Sequence, residues 1–339
     1  MINRENSNNF DLTRNVLSFL VFFTHWNILT NGGYDFFLFH LSGLAIDLFF
    51  IVSGFLIWWS YKSDNNIINF YLKRFFRIFP LYFFLILLQT LFFAFYSNGS
   101  IYDLHKYFLS NILFLNFISP TVGDLLSGLE VNAINGSLWT LKNEVIFYVL
   151  VPLLFKLYEK YGLKFLCLIY SFSILYIIYF HLLNNERMLF QFPAQIRLFL
   201  SGILAYIYFD RIGRFSQYKV VTLSLILVIL FRENVYFRFT VYPLFLSVIL
   251  IYFVYYVKTY VIKFDFSYSF YIIHFPLIQL AILFDLNPSN PFLSLVLLFS
   301  LTVLLSYLSE LYIEKRFVIV GREIIKRRKN ADLLRLKSR

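Results

Sequence analysis

The sequence contains few charged residues and a single cysteine. Only 14% of its 339 residues are charged, whereas 60% are hydrophobic, and the mean hydropathy is +0.70. A water-soluble domain of this length does not need so much apolar surface, so the composition excludes that class of protein. The one cysteine, Cys167, excludes an intramolecular disulfide bond and a metal site built from cysteines.

Apolar stretches close to membrane-spanning length make up most of the chain. Because a helix needs about 20 apolar residues to cross the hydrocarbon core, they predict an all-α, polytopic integral membrane protein with about ten transmembrane helices. A further apolar run, 107–118, could cross the membrane or lie along its surface. The predicted spans are residues 15–29, 36–59, 79–97, 138–157, 164–183, 190–209, 219–231, 239–257, 267–285 and 291–313.

The distribution of basic residues predicts the orientation. With ten spans and both termini in the cytoplasm, most Lys and Arg residues fall on the inner side, as the positive-inside rule requires. Counting 107–118 as a crossing would move the basic C-terminus outside, so we predict one outer loop over 98–137 with a surface or re-entrant helix. The residues assigned to the inner side include Arg4, Arg14, Lys62, Lys73, Arg74, Arg77, Lys156, Lys160, Lys164, Arg211, Arg214, Lys219, Lys258 and Lys263.

The C-terminal segment is strongly basic. Residues 314–339 hold ten Lys or Arg against three acids, in a chain whose net charge is +11. Such a tail can bind nucleic acid, but after a series of membrane spans it is typical of a cytoplasmic end that contacts anionic lipid. We therefore predict a membrane domain over 1–313, a basic cytoplasmic tail over 314–339, and no nucleic-acid partner.

Ionisable residues inside the spans are the first candidates for function. His25 lies eleven positions after Arg14 in the first span, and Asp47 lies inside the second. A helix rise of ~1.5 Å per residue puts both near the middle of a core ~30 Å thick. We predict that Asp47 orients His25 as a general base; the alternative is a polar pair that only joins two helices. His274 alone is more typical of a helix-packing hydrogen bond.

A basic stretch, 70–82, precedes the third span on the cytoplasmic side. Lys73, Arg74 and Arg77 fall at helical spacing on one flank, among phenylalanines. Two interpretations stay open: an interfacial helix whose basic side chains face lipid headgroups, or a phosphate clamp, since guanidinium groups bind phosphate oxygens in a bidentate manner.

The segment 137–148 enters the membrane from the outer loop. Trp139 could stack on a sugar ring or belong to the interfacial aromatic belt. Glu144 lies deep enough to need a partner, and Lys142 or Arg197 could supply it. These residues are candidates for binding a substrate that approaches from outside.

Taken in order, these segments resemble acyltransferase family 3, integral membrane proteins that move acyl groups, usually acetyl, onto extracytoplasmic carbohydrates. The chain departs from the family at Glu314, where the family often has a proline two residues later and this sequence has Arg316. The matching elements are Arg14 and His25 (Arg, ten residues, His), GLAIDLFFIVSGFLI at 43–57 including Asp47, the Arg-x-x-Arg element Arg74 and Arg77, SLWTLKNEVIFY at 137–148, and the Tyr271, His274 and Pro276 cluster.

The resemblance implies a multi-pass O-acyltransferase of the bacterial cytoplasmic membrane. Its donor would be cytoplasmic acyl-coenzyme A, with acetyl as the acyl group that the family usually transfers. Its acceptor would be a surface glycan such as O-antigen, capsule or exopolysaccharide. No metal is expected. The alternative function is a flippase or transporter of polysaccharide or lipid-linked sugar.

The implied roles divide the candidate residues into three groups. His25 and Asp47 are the catalytic candidates, and His25 either deprotonates the acceptor or is transiently acylated. The coenzyme A phosphates would bind Arg14, Lys73, Arg74 and Arg77, and the acceptor would bind Trp139, Glu144 and His274.

Overall fold

A computed structural model describes residues 8–209, 217–260, 262, 264–286 and 290–337. About 80% of the chain is helical, and these described ranges contain no strand. Four basic residues used to predict the orientation, Arg4, Arg211, Arg214 and Lys263, lie outside them. The α-helices are α1 (Phe10–Leu29), α2 (Ser42–Asp64), α3 (Ile67–Tyr96), α4 (Ile101–Ile112), α5 (Trp139–Tyr161), α6 (Leu163–Leu182), α7 (Glu186–Leu189), α8 (Phe192–Ile207), α9 (Gln217–Phe231), α10 (Val235–Phe239), α11 (Tyr242–Tyr256), α12 (Ser267–Leu283), α13 (Pro291–Ser309) and α14 (Lys315–Lys337).

The helices confirm an all-helical membrane protein. Each of the predicted apolar stretches overlaps one of them, although the number of crossings and the side of the termini stay predictions. Three shorter apolar helices are Tyr218–Phe231, Tyr242–Tyr256 and Ser267–Leu283. Within the described residues, 6 helices are long and apolar enough to cross a membrane: Ser42–Asp64, Ile67–Tyr96, Gly136–Tyr161, Leu163–Leu182, Glu186–Ile207 and Pro291–Ala331.

Helix α3 begins much earlier than the predicted span at 79–97. It starts at Ile67, where the side chain of Asn66 accepts a hydrogen bond from the Asn69 N–H at 2.9 Å, so the basic stretch and the span form one helix. Pro80 lies inside this helix. A proline in a membrane helix is tolerated because neighbouring groups satisfy the carbonyl that it leaves without a donor.

Helix α4 lies in the region predicted as an outer loop. Its 12 residues give a length of about 18 Å, well short of the ~30 Å hydrocarbon core, which favours a surface helix over a crossing. Ser100 and Asp103 form a capping box at its start. The hydrogen bonds from Ser100 hold the pKa of the Asp103 carboxyl below its ordinary value.

A π-helical turn, Glu310–Glu314, connects α13 directly to α14. Arg316 stands where the family that the sequence resembles often has a proline. Arg316 keeps its backbone N–H, so the helix can continue through this position. Helix α14 contacts α3: a Cβ at Gly321 would lie 2.7 Å from the Phe76 ring. The segment predicted as a basic tail is therefore helical, and it packs against α3.

The chain divides into two compact units. The first unit comprises residues 1–19, 41–63 and 140–263, and the second comprises 20–40, 64–139 and 264–339. Both are discontinuous in sequence, so each depends on contacts between distant segments.

In the first unit, α2 and α8 touch through their backbones. A Cβ at Gly54 would lie 2.0 Å from the carbonyl oxygen of Phe199, and one at Gly202 would lie 2.0 Å from that of Ile51. Small residues allow this close approach of membrane helices. The two glycines are therefore required by packing rather than by backbone conformation.

Replacing Gly54 with Ala is expected to destabilise the protein by about 1–3 kcal/mol, because a rigid backbone atom cannot rotate away from the new methyl group. The measurement is thermal denaturation of the purified protein in detergent. Gly43→Ala is the matched control on the same helix, since nothing lies within 4 Å of a Cβ there. Equal melting temperatures for the two variants would contradict the close contact.

In the second unit, the C-terminal half of α1 packs on α12 and α13. The Phe22 ring lies 5.7 Å from that of Phe270 and 5.4 Å from that of Phe299. One turn further along, the Trp26 indole donates a hydrogen bond to Ser294 Oγ at 3.1 Å. These contacts fix the rotation of α1 about its axis, and so the direction of the side chains between them.

The loop between α4 and α5, in the second unit, is folded against α3, α4 and α12. Its residues Val122, Leu126 and Ile134 join Phe93 and Tyr107 in a buried cluster. In addition, the amide nitrogen of Gln279 donates to the carbonyls of residues 131 and 133, at 2.7 and 2.9 Å. The loop is thus an ordered part of the unit.

Candidate active site

Two histidines of the second unit meet side by side. Nδ1 of His25, on α1, lies 2.8 Å from Nε2 of His274, on α12. The ring planes are within 11° of each other and the centroids are 5.1 Å apart, so the rings meet edge to edge, as an in-plane hydrogen bond requires. His274 is 0% exposed, whereas His25 is half-buried.

The far nitrogen of His274 is also occupied. Its Nδ1 lies 3.0 Å from the carbonyl oxygen of Phe270, one helical turn earlier. The rings of Phe22, Phe270 and Tyr271 surround the His274 imidazole. His274 is therefore held from both ends in apolar surroundings.

The residues just before α5, 135–137, contact α12 next to the two histidines. Asn135 donates to the Ile272 carbonyl at 2.8 Å, and the Tyr271 hydroxyl donates to the Ser137 carbonyl at 3.3 Å. A Cβ at Gly136 would lie 2.7 Å from the ring of Phe275, whose face meets the edge of His25 at a centroid distance of 5.1 Å. The Phe275 ring therefore packs between Gly136 of the loop and the His25 ring.

The predicted pairing of His25 with Asp47 stays a prediction, because the two residues belong to different units. Within the first unit, Asp47 interacts electrostatically with Arg197 and Arg238. Arg197 is only 6% exposed. Arg197 was predicted as a possible partner of Glu144, and its interaction with Asp47 was missed. An arginine in an apolar span needs a counter-charge, and that need is the signal that could have indicated the carboxylate of the second span.

Glu144 is held by hydroxyl groups. Ser53 donates to its Oε1 at 3.0 Å, and Tyr148, one turn along α5, donates to the same oxygen. Lys142, which was one suggested partner, donates to the side chain of Gln191 at 2.8 Å. Trp139 is half-buried and belongs to the second unit, so its grouping with Glu144 as an acceptor site stays a prediction.

Arg77 lies between two carboxylates of the second unit. Its Nη2 is 2.9 Å from Asp265 Oδ2, and its Nη1 is 3.1 Å from Glu314 Oε2. The Glu314 side chain is 1% exposed. These ion pairs were not foreseen, and they show that the guanidinium has a structural role at the base of α3.

The other predicted phosphate ligands also have described contacts. Lys73 Nζ lies 2.9 Å from Asp64 Oδ2, and Lys329 of α14 lies 2.8 Å from the other oxygen of the same carboxylate. The Arg74 guanidinium lies 5.6 Å from the Phe70 ring centroid. In the first unit, Arg14 pairs with Asp11 at 2.6 Å. Among the described residues, no three His, Cys, Asp or Glu side chains are close enough to hold a metal ion.

Comparisons with known proteins identify the family of the chain. The family model described as "Acyltransferase domain" (acyltransferase family 3) matches residues 7–311. An "O-acetyl transferase" of Shigella phage Sf6 is 29% identical over 327 residues, which cover 92% of this chain and 96% of the relative. "Nodulation protein 10" of Rhizobium leguminosarum bv. viciae is 28% identical over 238 residues, 63% of each chain.

No solved structure matches the chain. The family model nevertheless spans nearly the whole sequence, including both histidines, the second-span signature and the Arg-x-x-Arg element. The resemblance inferred from the motifs is confirmed: the chain belongs to acyltransferase family 3 and is an acyltransferase.

Proposed function

We propose that the protein transfers an acetyl group from acetyl-coenzyme A, bound on the cytoplasmic side, to a hydroxyl of a surface glycan outside the bacterial cytoplasmic membrane. The observation that carries the proposal is the contact between His25 and His274 within a chain of this family. The name "O-acetyl transferase" of a relative that aligns over 96% of its length supports acetyl transfer to oxygen.

In the proposed reaction, the His25 imidazole acts either as a general base or as a nucleophile. Its Nε2 removes the proton of the acceptor hydroxyl as the oxygen attacks the thioester carbonyl; the carbon–sulfur bond breaks, and the coenzyme A sulfur leaves with that proton. In the alternative sequence, Nε2 attacks the thioester first, the carbon–sulfur bond breaks, and the thiolate leaves an acyl-imidazole behind. The acceptor hydroxyl then attacks the acyl carbon, the carbon–nitrogen bond breaks, and the hydroxyl proton passes to the thiolate. Both routes need an unprotonated Nε2.

The basic start of α3 is the proposed docking place for the coenzyme A phosphates. Arg77 is already engaged by Asp265 and Glu314, whose charges offset its own. Arg14, in the first unit, stays a separate candidate. We assign the main phosphate contact in the second unit to Arg74, with Lys73 as a further cation on α3. Arg77 orders the helix that presents them.

Glu144 is our candidate for binding the acceptor in the first unit, and Trp139 is a separate candidate in the second. The Glu144 carboxylate, placed by Ser53 and Tyr148, can accept hydrogen bonds from sugar hydroxyls. Asp47 and Arg197 would keep this part of the membrane domain polar without carrying a net charge.

The test is mass spectrometry of surface glycans from otherwise identical cells with and without the protein. We expect glycans heavier by one acetyl group per modified sugar only when the protein is present, and loss of the difference after mild alkaline de-esterification. A flippase or transporter would instead change the amount of surface glycan and leave the mass of its repeating unit unchanged, which would refute the proposal.

A further inference from the structure

We propose that His274 is a positioning residue that fixes the tautomer of His25. The inference rests on the proposed role of His25 in acyl transfer. In this arrangement His25 carries its proton on Nδ1, pointing at His274, and its Nε2 is left with the lone pair that the reaction needs.

The first step concerns His274. A backbone carbonyl can only accept a hydrogen bond, so the 3.0 Å contact with the Phe270 oxygen requires a proton on Nδ1 of His274. A neutral imidazole carries one proton, so Nε2 of His274 is an acceptor. A second proton would place a charge among the rings of Phe22, Phe270 and Tyr271, at the cost of its hydration.

The second step concerns His25. Two ring nitrogens 2.8 Å apart share one proton, and His274 contributes only a lone pair. His25 must therefore donate from Nδ1, and its remaining nitrogen, Nε2, is unprotonated when the ring is neutral.

The third step concerns access and charge. His274 is fully buried and His25 is half-buried, so His25 is the member of the pair that a substrate can reach. In serine hydrolases a carboxylate orients the catalytic histidine in the same way. At membrane depth a neutral imidazole performs this function without the cost of burying a charge.

Comparing His274→Gln with His274→Leu tests whether His274 orients His25 through a hydrogen bond or only fills space between the helices. The glutamine carbonyl oxygen can take the place of Nε2 and accept from His25, whereas leucine fills the volume without an acceptor. We expect kcat for acetyl transfer to fall about 100-fold in His274→Leu, to remain within about tenfold of the native value in His274→Gln, and KM for acetyl-coenzyme A to change little in either.

A merely structural role predicts the reverse order, because leucine suits apolar surroundings and glutamine leaves an amide N–H without a partner. Equal activities, or a more active leucine variant, would overturn the inference. If both variants fail to fold, the native protein itself provides the deciding measurement.

That measurement is long-range ¹H–¹⁵N NMR of the detergent-solubilised protein labelled with ¹⁵N-histidine. The chain has 5 histidines, and single His→Gln variants assign their signals. We expect His25 to show a protonated Nδ1 and an unprotonated Nε2. A protonated Nε2 in neutral His25 would overturn the inference. The tautomer is observed without any substrate, so this result is independent of whether surface glycans prove to be acetylated.

Discussion

His25→Gln is expected to reduce acetyl transfer at least about 100-fold while the protein stays folded and inserted. The glutamine amide can still donate a hydrogen bond to His274, so the contact that holds α1 to α12 is kept. What is lost is the lone pair on Nε2, and general bases contribute about 10² to 10⁴ in rate. The measurement is transfer of labelled acetyl groups to surface glycan, in cells and in proteoliposomes.

The matched control is His105→Gln, which changes an exposed histidine of the same unit. It should retain native activity and the same melting temperature. Acid quenching during turnover, followed by peptide mass spectrometry, distinguishes the two routes: acyl-imidazole chemistry leaves an acetyl group on the peptide that contains His25. Substantial activity in His25→Gln would remove this residue from the reaction altogether.

Arg77→Ala is expected to destabilise the protein by about 3 kcal/mol, because it leaves the buried Glu314 carboxylate without its ionic partner. Asp265 loses a partner as well, but it is more exposed. The measurement is the melting temperature in detergent. Adding Glu314→Gln should restore part of the loss, since the double variant no longer buries an uncompensated charge.

Arg74→Ala is the comparison for coenzyme A binding. It should lower the melting temperature less than Arg77→Ala does and weaken the binding of acetyl-coenzyme A, measured by calorimetry on purified protein. If Arg77→Ala were fully stable and lost only coenzyme A affinity, the two roles assigned to these neighbouring arginines would have to be exchanged.

Much of the fold follows from apolar length alone, and this is why the predicted stretches coincide with helices. The start of α3 was misplaced because the basic residues from Lys73 to Arg77 and the proline at 80 interrupt the apolar run, although neither prevents a helix. Hydropathy measures transfer into lipid, whereas helix formation depends on backbone hydrogen bonds. Basic residues and a proline lower the hydropathy of residues 73–80, but they leave the helix intact.

The sequence predicts a candidate catalytic residue but not its contacts. His25 was chosen for its expected depth in the membrane and its position eleven residues after Arg14. Its contact with His274 joins residues that are 249 positions apart, and each histidine alone also fits simple helix packing. The same applies to Arg77, whose carboxylate partners come from two other segments. Sequence periodicity places a side chain on a helix but does not identify its neighbour.

The C-terminal helix has a practical consequence for anyone who expresses the protein. Gly321 fits under Phe76, and Lys329 shares the Asp64 carboxylate with Lys73. Deleting this segment as a dispensable hydrophilic extension would uncover the Phe76 ring and remove a cation from the N-terminal end of α3. Affinity tags are therefore better fused beyond residue 337 through a spacer. If shortened versions of the protein express poorly, the cause we expect is the loss of the contacts between this helix and α3, not a weaker attraction to anionic lipid.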